Sequence, residues 1–349
     1  MKWARARGAG GRGGEGKWEG GCELMRVAKE MFEDAGPEAA KAARAHPDRV
    51  GVYIGAWQPA VSNGRASAYH TIGTSLSALA PRVANAYNFQ GPVVTVNTAC
   101  SSALVAVHDA LRDARAGRID FAVVGGVNLF GEDLQLFSHL RRAGMLSPSG
   151  RCQTFSADAD GYVRAEGGVL FLLHAGQGLP SHGRILGSAL TQNSTRKPLS
   201  SVDPVAQERV IRLACGDAGV RPSDLAAVEL HGTGTPLGDP VEVSALAKAL
   251  QRSEGSEGGA PCTPCTMTTM TAAKMHVGHL ESAAGGVGLL KAMLMSQEGR
   301  VPGFKIGKGK GGKGGKLNKL NPQVAAAMEG SCLAAPGEEG VLSEGALLG

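Results

Sequence analysis

Hydrophobic and polar positions in this chain alternate between a helical rhythm and short β-branched runs. Leu24, Val27, Ala28 and Met31 share one face of a predicted helix that starts near Cys22 and is ended by Gly36 and Pro37. Residues 50–55 and 93–97 read as strands, the second entered through Gly91 and Pro92. The stretch TACSSALVAVHDALRDARAG then predicts a helix over 101–115, stopped by Gly117, and 121–124 predicts the next strand. Strand, helix and strand in that order make a βαβ unit, which places the chain in the α/β class. The second half repeats the alternation, with a strand at 225–230, the loop HGTGTPLGDP and a helix at 241–250.

Two predicted helices open beside a chemically reactive side chain. The helix after Cys100 begins Ala103, Leu104, Val105, Ala106, Val107, and the one from Leu280 carries Ala283, Ala284, Val287, Leu289 and Leu290. Both are apolar on every side, the signature of a buried layer. Gly285, Gly286 and Gly288 permit close packing of the second.

The chain has 349 residues, long enough for one large domain or two fused halves, and 43% hydrophobic against 19% charged residues excludes disorder throughout. Its 52 glycines are in excess, and part of the excess is low-complexity sequence. Residues 1–20 read as a Gly-rich disordered leader, compatible with a targeting segment, an unstructured leader or a gene-model artefact. Residues 305–319 interleave six lysines with six glycines and read as a solvated insertion. That run accounts for the net charge of +5, so the charge is no evidence for nucleic-acid binding, and only 4% of residues are aromatic. SEGSEGGA reads as a surface loop, and 326–349 carries no clear periodicity.

Seven irregularly placed cysteines, without a signal-peptide-like stretch, point to free thiols in a reducing compartment, cytoplasmic or organellar with a plastid included, and not to secretion. No segment reaches membrane-spanning length. Cys262 and Cys265 form one CTPC, but a zinc site needs two further suitably spaced ligands, so no metal is expected. The glycines of GGVNLFG lack the rest of a dinucleotide fingerprint.

Cys100 lies where a strand turns into a helix, a position that exposes a side chain and favours a thiolate, although a buried structural cysteine is the plain alternative. His231 follows a strand in a loop whose glycines allow close backbone approach to a ligand. One thiolate with two imidazoles, His231 and His279, is chemically sufficient to form a thioester and then stabilise charge on a second carbonyl.

In these stretches the chain resembles the β-ketoacyl synthase (ketosynthase) domains of type I polyketide synthases, of the thiolase-like superfamily. The matching motifs are GPVVTVNTACSSALVAVHDAL, RRAGMLSPSGRCQTFSADADGYVRAEG, ELHGTGTPLGDPVE and KMHVGHLESAAGGVGLLKA, in the family's order, and the match runs from about 22 to 322. The resemblance implies a thiolase-like α/β fold of two similar halves in five layers, here 21–180 with the nucleophile and 181–325 with both histidines. It implies a homodimer and an acyl carrier protein as partner, with substrates carried on phosphopantetheine and no cofactor bound directly. It further implies a decarboxylative Claisen condensation with malonyl carrier protein, in polyketide or fatty-acid synthesis. Cys100, His231 and His279 are then catalytic, Lys274 and Glu281 supporting, and Thr233 and Thr235 line the pantetheine channel.

Four departures from the family pattern accompany the resemblance. Met275 and His276 stand where the family has Thr and Asn, and Asn97 replaces an aspartate. The family's first strand and its terminal Gly-Phe-Gly strand, which supplies an oxyanion donor, are not recognisable. Two alternatives remain at this point: a thiolase-fold acyltransferase that does not elongate, or an inactive dimerisation module or fragment. Both histidines speak against the first, and the unrecognised terminal strand favours the second.

Overall fold

The computed structural model describes residues 19–57, 70–130, 134–176, 178–193, 198, 201–251, 267–303, 305–306, 316–317, 319–335, 340–342 and 345–349. The leader to residue 18, most of the Gly/Lys run, SEGSEGGA and the CTPC pair lie outside the described residues. The chain has an α/β fold and divides into two compact units. One comprises Met1–His139, Arg164–Pro180 and Leu280–Val287; the other comprises Leu140–Val163, Ser181–His279 and Gly288–Gly349.

The first unit is built from α1 (Glu19–Ala45), β1 (Val50–Gly55), α2 (His70–Thr74), α3 (Leu79–Tyr87), β2 (Val93–Val96), α4 (Ser102–Arg115), β3 (Phe121–Asn128), the start of α5 (Leu134–Arg142) and β4 (Gly167–His174). Its sheet runs β2-β1-β3-β4, with β1 parallel to β2 and β3, and β4 antiparallel to β3. Every residue of β1 is buried, so the strand reads as a continuous apolar run rather than an alternation. Val50, Val52 and Ile54 pack with Leu24, Val27 and Phe32 of α1 and Leu79 and Val83 of α3.

The second unit contains α6 (Pro204–Ala218), β5 (Leu225–Glu229), α7 (Gly238–Leu250), β6 (Thr268–Thr271), α8 (Lys274–Val277), most of α9 (Ala284–Glu298), β7 (Arg300–Val301), β8 (Lys305–Ile306), β9 (Lys316–Leu317), α10 (Pro322–Met328), β10 (Leu333–Ala334), β11 (Gly340–Val341) and β12 (Leu347–Leu348). Its main sheet runs β10-β6-β5-β12, all parallel. The core beneath it joins Phe155, Leu230, Val243, Leu246, Met270 and Val324. Residues 333–348, where no periodicity was legible, thus supply three short strands.

The first helix ends as expected at Gly36, which leaves helical geometry at φ 82°, ψ 167°, and a second helical segment starts at Pro37, whose fixed φ suits a first turn. Two local expectations are revised. The apolar start of α4 is not buried all round, because Ala103, Ala106 and Val107 are buried while Leu104, one helical step aside, is 44% exposed. Cys332 is disulfide-bonded, which corrects the expectation of seven thiols; Cys152 and Cys215 are buried thiols.

Glycines set how closely the layers approach. β3 continues through Gly125 and Gly126 to Asn128 by pairing with β1 and β4, and glycine is required there because a Cβ on Gly125 would lie 2.0 Å from the Val169 carbonyl oxygen and one on Gly126 2.8 Å from that of Ser282. At the end of β1 a Cβ on Gly55 would fall 2.6 Å from the Ala103 nitrogen, so only glycine admits the first turn of α4. Gly55→Ala is therefore expected to destabilise the fold by about 1–3 kcal/mol, as overpacking does, read as a lowered urea midpoint.

Candidate active site

Cys100 and Glu281 belong to the first unit, and His231, Thr233, Thr235, Lys274 and His279 to the second. β2 ends at Val96 and α4 starts at Ser102, so Cys100 occupies the turn between them. Ala99 takes the left-handed conformation (φ 54°) that reverses the chain, a geometry that costs a non-glycine residue energy and must be held by its surroundings. Those surroundings are local hydrogen bonds. The Ser102 hydroxyl donates to the Ala99 carbonyl at 2.6 Å and accepts from the Thr98 N–H at 2.9 Å, and the Ser101 hydroxyl donates to the Thr98 carbonyl at 2.8 Å. The Asn97 amide accepts from the Ala99 N–H and donates to the Trp57 carbonyl, each at 3.3 Å, and the second of these contacts is one an ionised aspartate cannot make. The Cys100 side chain is partly exposed.

Glu281 begins a short 3-10 turn with φ 43°, again left-handed. Its carboxylate takes a bidentate pair of bonds from the Arg164 guanidinium, at 2.6 and 2.8 Å, with both side chains 1% exposed. The guanidinium stacks on Phe130 and Phe137, 4.4 and 4.3 Å from the ring centroids. Arginine suits this place because its plane can bond along its edge and stack on its faces. Glu281 is thus a buried structural partner of Arg164.

In the second unit the His231 and His279 rings meet edge to face with centroids 5.4 Å apart, and Tyr162 lies 5.0 Å from His279. His279 is buried, and its N–H donates to the Val163 carbonyl at 2.7 Å. His231 is solvent-accessible, yet its pKa is held well below the ordinary imidazole value. The protein packed around the ring contributes most, then the buried Lys274 ammonium, then the second imidazole. The desolvation reflects the density of surrounding atoms rather than loss of all solvent contact. His231 is therefore neutral at pH 7, with one ring nitrogen a donor and the other an acceptor.

The loop after His231 is clamped from α7 by two carboxylates that sequence reading passed over. The Glu242 oxygens accept from the His231 N–H at 2.6 Å and the Gly232 N–H at 2.9 Å. Asp239, three residues earlier, accepts from Gly234 at 3.1 Å and from Phe155 at 2.8 Å. The signal was present in GDPVE, since two acids at i and i+3 in a first helical turn share one face. Gly234 is left-handed (φ 76°) and passes so near Gln153 that a Cβ would be 2.5 Å from its nitrogen. Thr233 and Thr235 bring their hydroxyls to 3.3 Å, and the Thr235 hydroxyl accepts from the Gly238 N–H at 3.1 Å.

Burial pushes the Glu242 carboxyl up to about 7, against the pull of the Gly232 and His231 amides, with Asp239 adding to the rise and Lys274 opposing it. Asp239 is raised as well, again chiefly by burial. Of the two departures in the lysine motif, Met275 packs against the core of Phe155, Leu230 and Val243. His276 is exposed, with a pKa lowered by desolvation and by Lys291.

The chain matches two family models: Beta-ketoacyl synthase, N-terminal domain, over residues 22–177, and Beta-ketoacyl synthase, C-terminal domain, over residues 182–305. It is 38% identical over 288 residues to erythronolide synthase EryA3 of Saccharopolyspora erythraea, covering 80% of this chain and 9% of that protein. It is 36% identical over 287 residues to the non-reducing polyketide synthase mapC' of Penicillium brevicompactum, covering 80% and 13%. The chain therefore spans about a tenth of the length of these relatives. Among solved structures, the oxazolomycin ketosynthase domain OzmH KS7 of Streptomyces albus JA3453 superposes with a TM-score of 0.77 at 30% identity, over 92% of this chain and 53% of that one. The ketosynthase from module 6 of the bacillaene synthase of Bacillus subtilis 168 gives 0.73 at 26% identity, over 92% and 54%.

The raised Glu242 pKa has a consequence for stability. Between the ordinary carboxylate value and about 7 the folded chain holds a proton that the unfolded chain has released. This group's stabilising contribution is complete below that window and is lost as pH rises through about 7. In Glu242→Gln, which does not titrate, the fall in urea midpoint across this window should be shallower than in the wild type.

Proposed function

Because this chain belongs to the β-ketoacyl synthase family, an acyltransferase family, and is homologous to type I polyketide synthase ketosynthase domains, we propose that it catalyses decarboxylative Claisen condensation. The observation that carries the reading is the pair of facing imidazoles, 5.4 Å apart, with His231 kept neutral beside a buried lysine. A neutral imidazole donates a hydrogen bond without carrying the charge that would pair permanently with a carboxylate. Among the described residues, no helix is long and apolar enough to cross a membrane.

In the first step the Cys100 thiolate attacks a carrier-bound acyl thioester. A new C–S bond forms to Cys100, the bond to the pantetheine sulfur breaks, and that sulfur leaves as a thiol with the proton Cys100 gave up. In the second, malonyl carrier protein loses CO2, and the electron pair of the broken C–C bond moves into an enolate. His231 and His279 donate hydrogen bonds to its oxygen as charge develops there, and Lys274 adds positive potential. The enolate carbon attacks the Cys100 thioester, and collapse of the tetrahedral adduct expels the thiolate and leaves a β-ketoacyl chain on the carrier. Thr233 and Thr235 line the pantetheine path in this reading, and no cofactor is bound directly. Glu281 supports the arrangement through Arg164.

The partners proposed are an acyl carrier protein and a second copy of this chain. β2 is an edge of its sheet among the described residues, and Val94 on it is 38% exposed, so strand pairing across a twofold axis would extend the sheet and cover that side chain. Sedimentation at micromolar concentration should give a dimer; a folded monomer would refute the pairing.

The two steps separate by mutation. Cys100→Ala should abolish acylation seen by intact mass, with no label on Cys152 or Cys215. His231→Ala should keep most self-acylation yet lose malonyl decarboxylation by ~10² or more, as removal of an oxyanion donor does. Acylation without any decarboxylation by the wild type would favour a non-elongating acyltransferase, and absence of both an inactive module. If His231→Ala blocks acylation as fully as Cys100→Ala, His231 is instead the base for the thiol.

A further inference from the structure

A second buried ion pair lies beneath the histidines, and the mechanism above makes no use of it. Glu229 is the last residue of β5, two before His231, and its side chain is 7% exposed. One carboxylate oxygen accepts from the Lys291 ammonium of α9 at 2.7 Å and from the Thr271 hydroxyl at the end of β6 at 2.5 Å. The other accepts from the Ala273 N–H. Ala273 immediately precedes Lys274, and α8 leads from there to His279. The Leu230 N–H, next to His231, donates to the Thr271 carbonyl at 2.7 Å. Gly288, one turn before Lys291, gives the Glu229 side chain room, since a Cβ there would be 3.2 Å from Glu229 Cγ. The backbone leading to His231 and the backbone leading to Lys274 and His279 are thus drawn to one carboxylate.

We propose that the Glu229–Lys291 pair is a positioning device for the decarboxylating residues, setting the spacing of His231 from Lys274 and His279. The inference rests on the reading that these three side chains serve decarboxylation. Its physical basis is the cost of a buried carboxylate. The Lys291 ammonium compensates the buried Glu229 carboxylate, which accepts from the Thr271 hydroxyl and the Ala273 N–H. Removing the ammonium leaves that buried charge uncompensated and loosens the Ala273 anchor. Neither Glu229 nor Lys291 touches substrate in this scheme. Among the described residues the titratable group that responds to both members of the pair is His276.

The test compares wild type, Lys291→Met, Lys291→Arg, His231→Ala and Glu229→Gln/Lys291→Met, with Cys100 self-acylation and malonyl carrier protein decarboxylation measured on each and folding checked by circular dichroism. Misplacement of catalytic groups by a fraction of an ångström to 1 Å costs about 10- to 100-fold, so Lys291→Met should lose that much decarboxylation while acylating within about threefold of wild type. The loss should fall on kcat more than on KM for malonyl carrier protein, and Lys291→Arg, which keeps the charge, should recover most of it. Should Lys291→Met not fold, the doubly neutral Glu229→Gln/Lys291→Met should show the same selective loss, smaller in size. Either folded variant decarboxylating within about twofold of wild type, or losing both activities equally, would overturn the proposal. His231→Ala separates the two claims: if it decarboxylates normally the underlying reading fails, and if it alone fails to decarboxylate only the role of the pair is refuted.

Discussion

A carboxylate taken out of water must be surrounded by donors or cations, and four such groups organise the functional parts of this chain. Glu281 is met by Arg164, Glu229 by Lys291, Thr271 and the Ala273 amide, and Asp239 and Glu242 by backbone N–H groups around the HGTGT loop. Each solution immobilises something else. The Arg164 guanidinium is fixed between two phenylalanines, the loop backbone is pinned at consecutive amides, and the start of α8 is tied to the end of β5. Leaving any of these acids unpaired would cost several kcal/mol, so the surrounding geometry is over-determined.

The same accounting fixes the loop backbone. The N–H groups of His231, Gly232 and Gly234 all donate to Glu242 and Asp239, which leaves the imidazole and the threonine hydroxyls as the loop's polar side chains. Burial raises both carboxyls and lowers the imidazole, and Lys274 acts on that background. Its ammonium adds to burial in disfavouring protonation of His231, and it opposes the rise of the Glu242 carboxyl.

The two units share a strand pattern, with β1 flanked by parallel β2 and β3, and β5 flanked by parallel β6 and β12. In each, a candidate catalytic residue follows a strand of the sheet, Cys100 after β2 and His231 after β5, where backbone leaves the sheet and side chains become accessible. The strain that such exits require is local and held by short-range bonds: Ala99 by the hydroxyls and amide around it, Gly232 and Gly234 by glycine's lack of a Cβ.

What the sequence by itself determined is the family, the α/β class and the place of each reactive side chain along the chain, because these follow from local periodicity and from motifs whose residues are close in sequence. Strands 50–55 and 225–229 and the helix after Cys100 were legible because β-branched runs and helical spacing are short-range signals. The continuation of β3 through two glycines, the strands formed by residues 333–348 and the restart of α1 after Pro37 were decided by tertiary packing. Their local sequence is weak, and partners far along the chain supply the pairing. The clamps were hidden for the same reason. Glu242 and Asp239 lie near the loop in sequence yet bond it only once α7 folds back, and Glu229 meets Lys291 across 62 positions. Charge in a sequence looks solvated, and only burial, a property of the folded chain, turns it into an organising constraint.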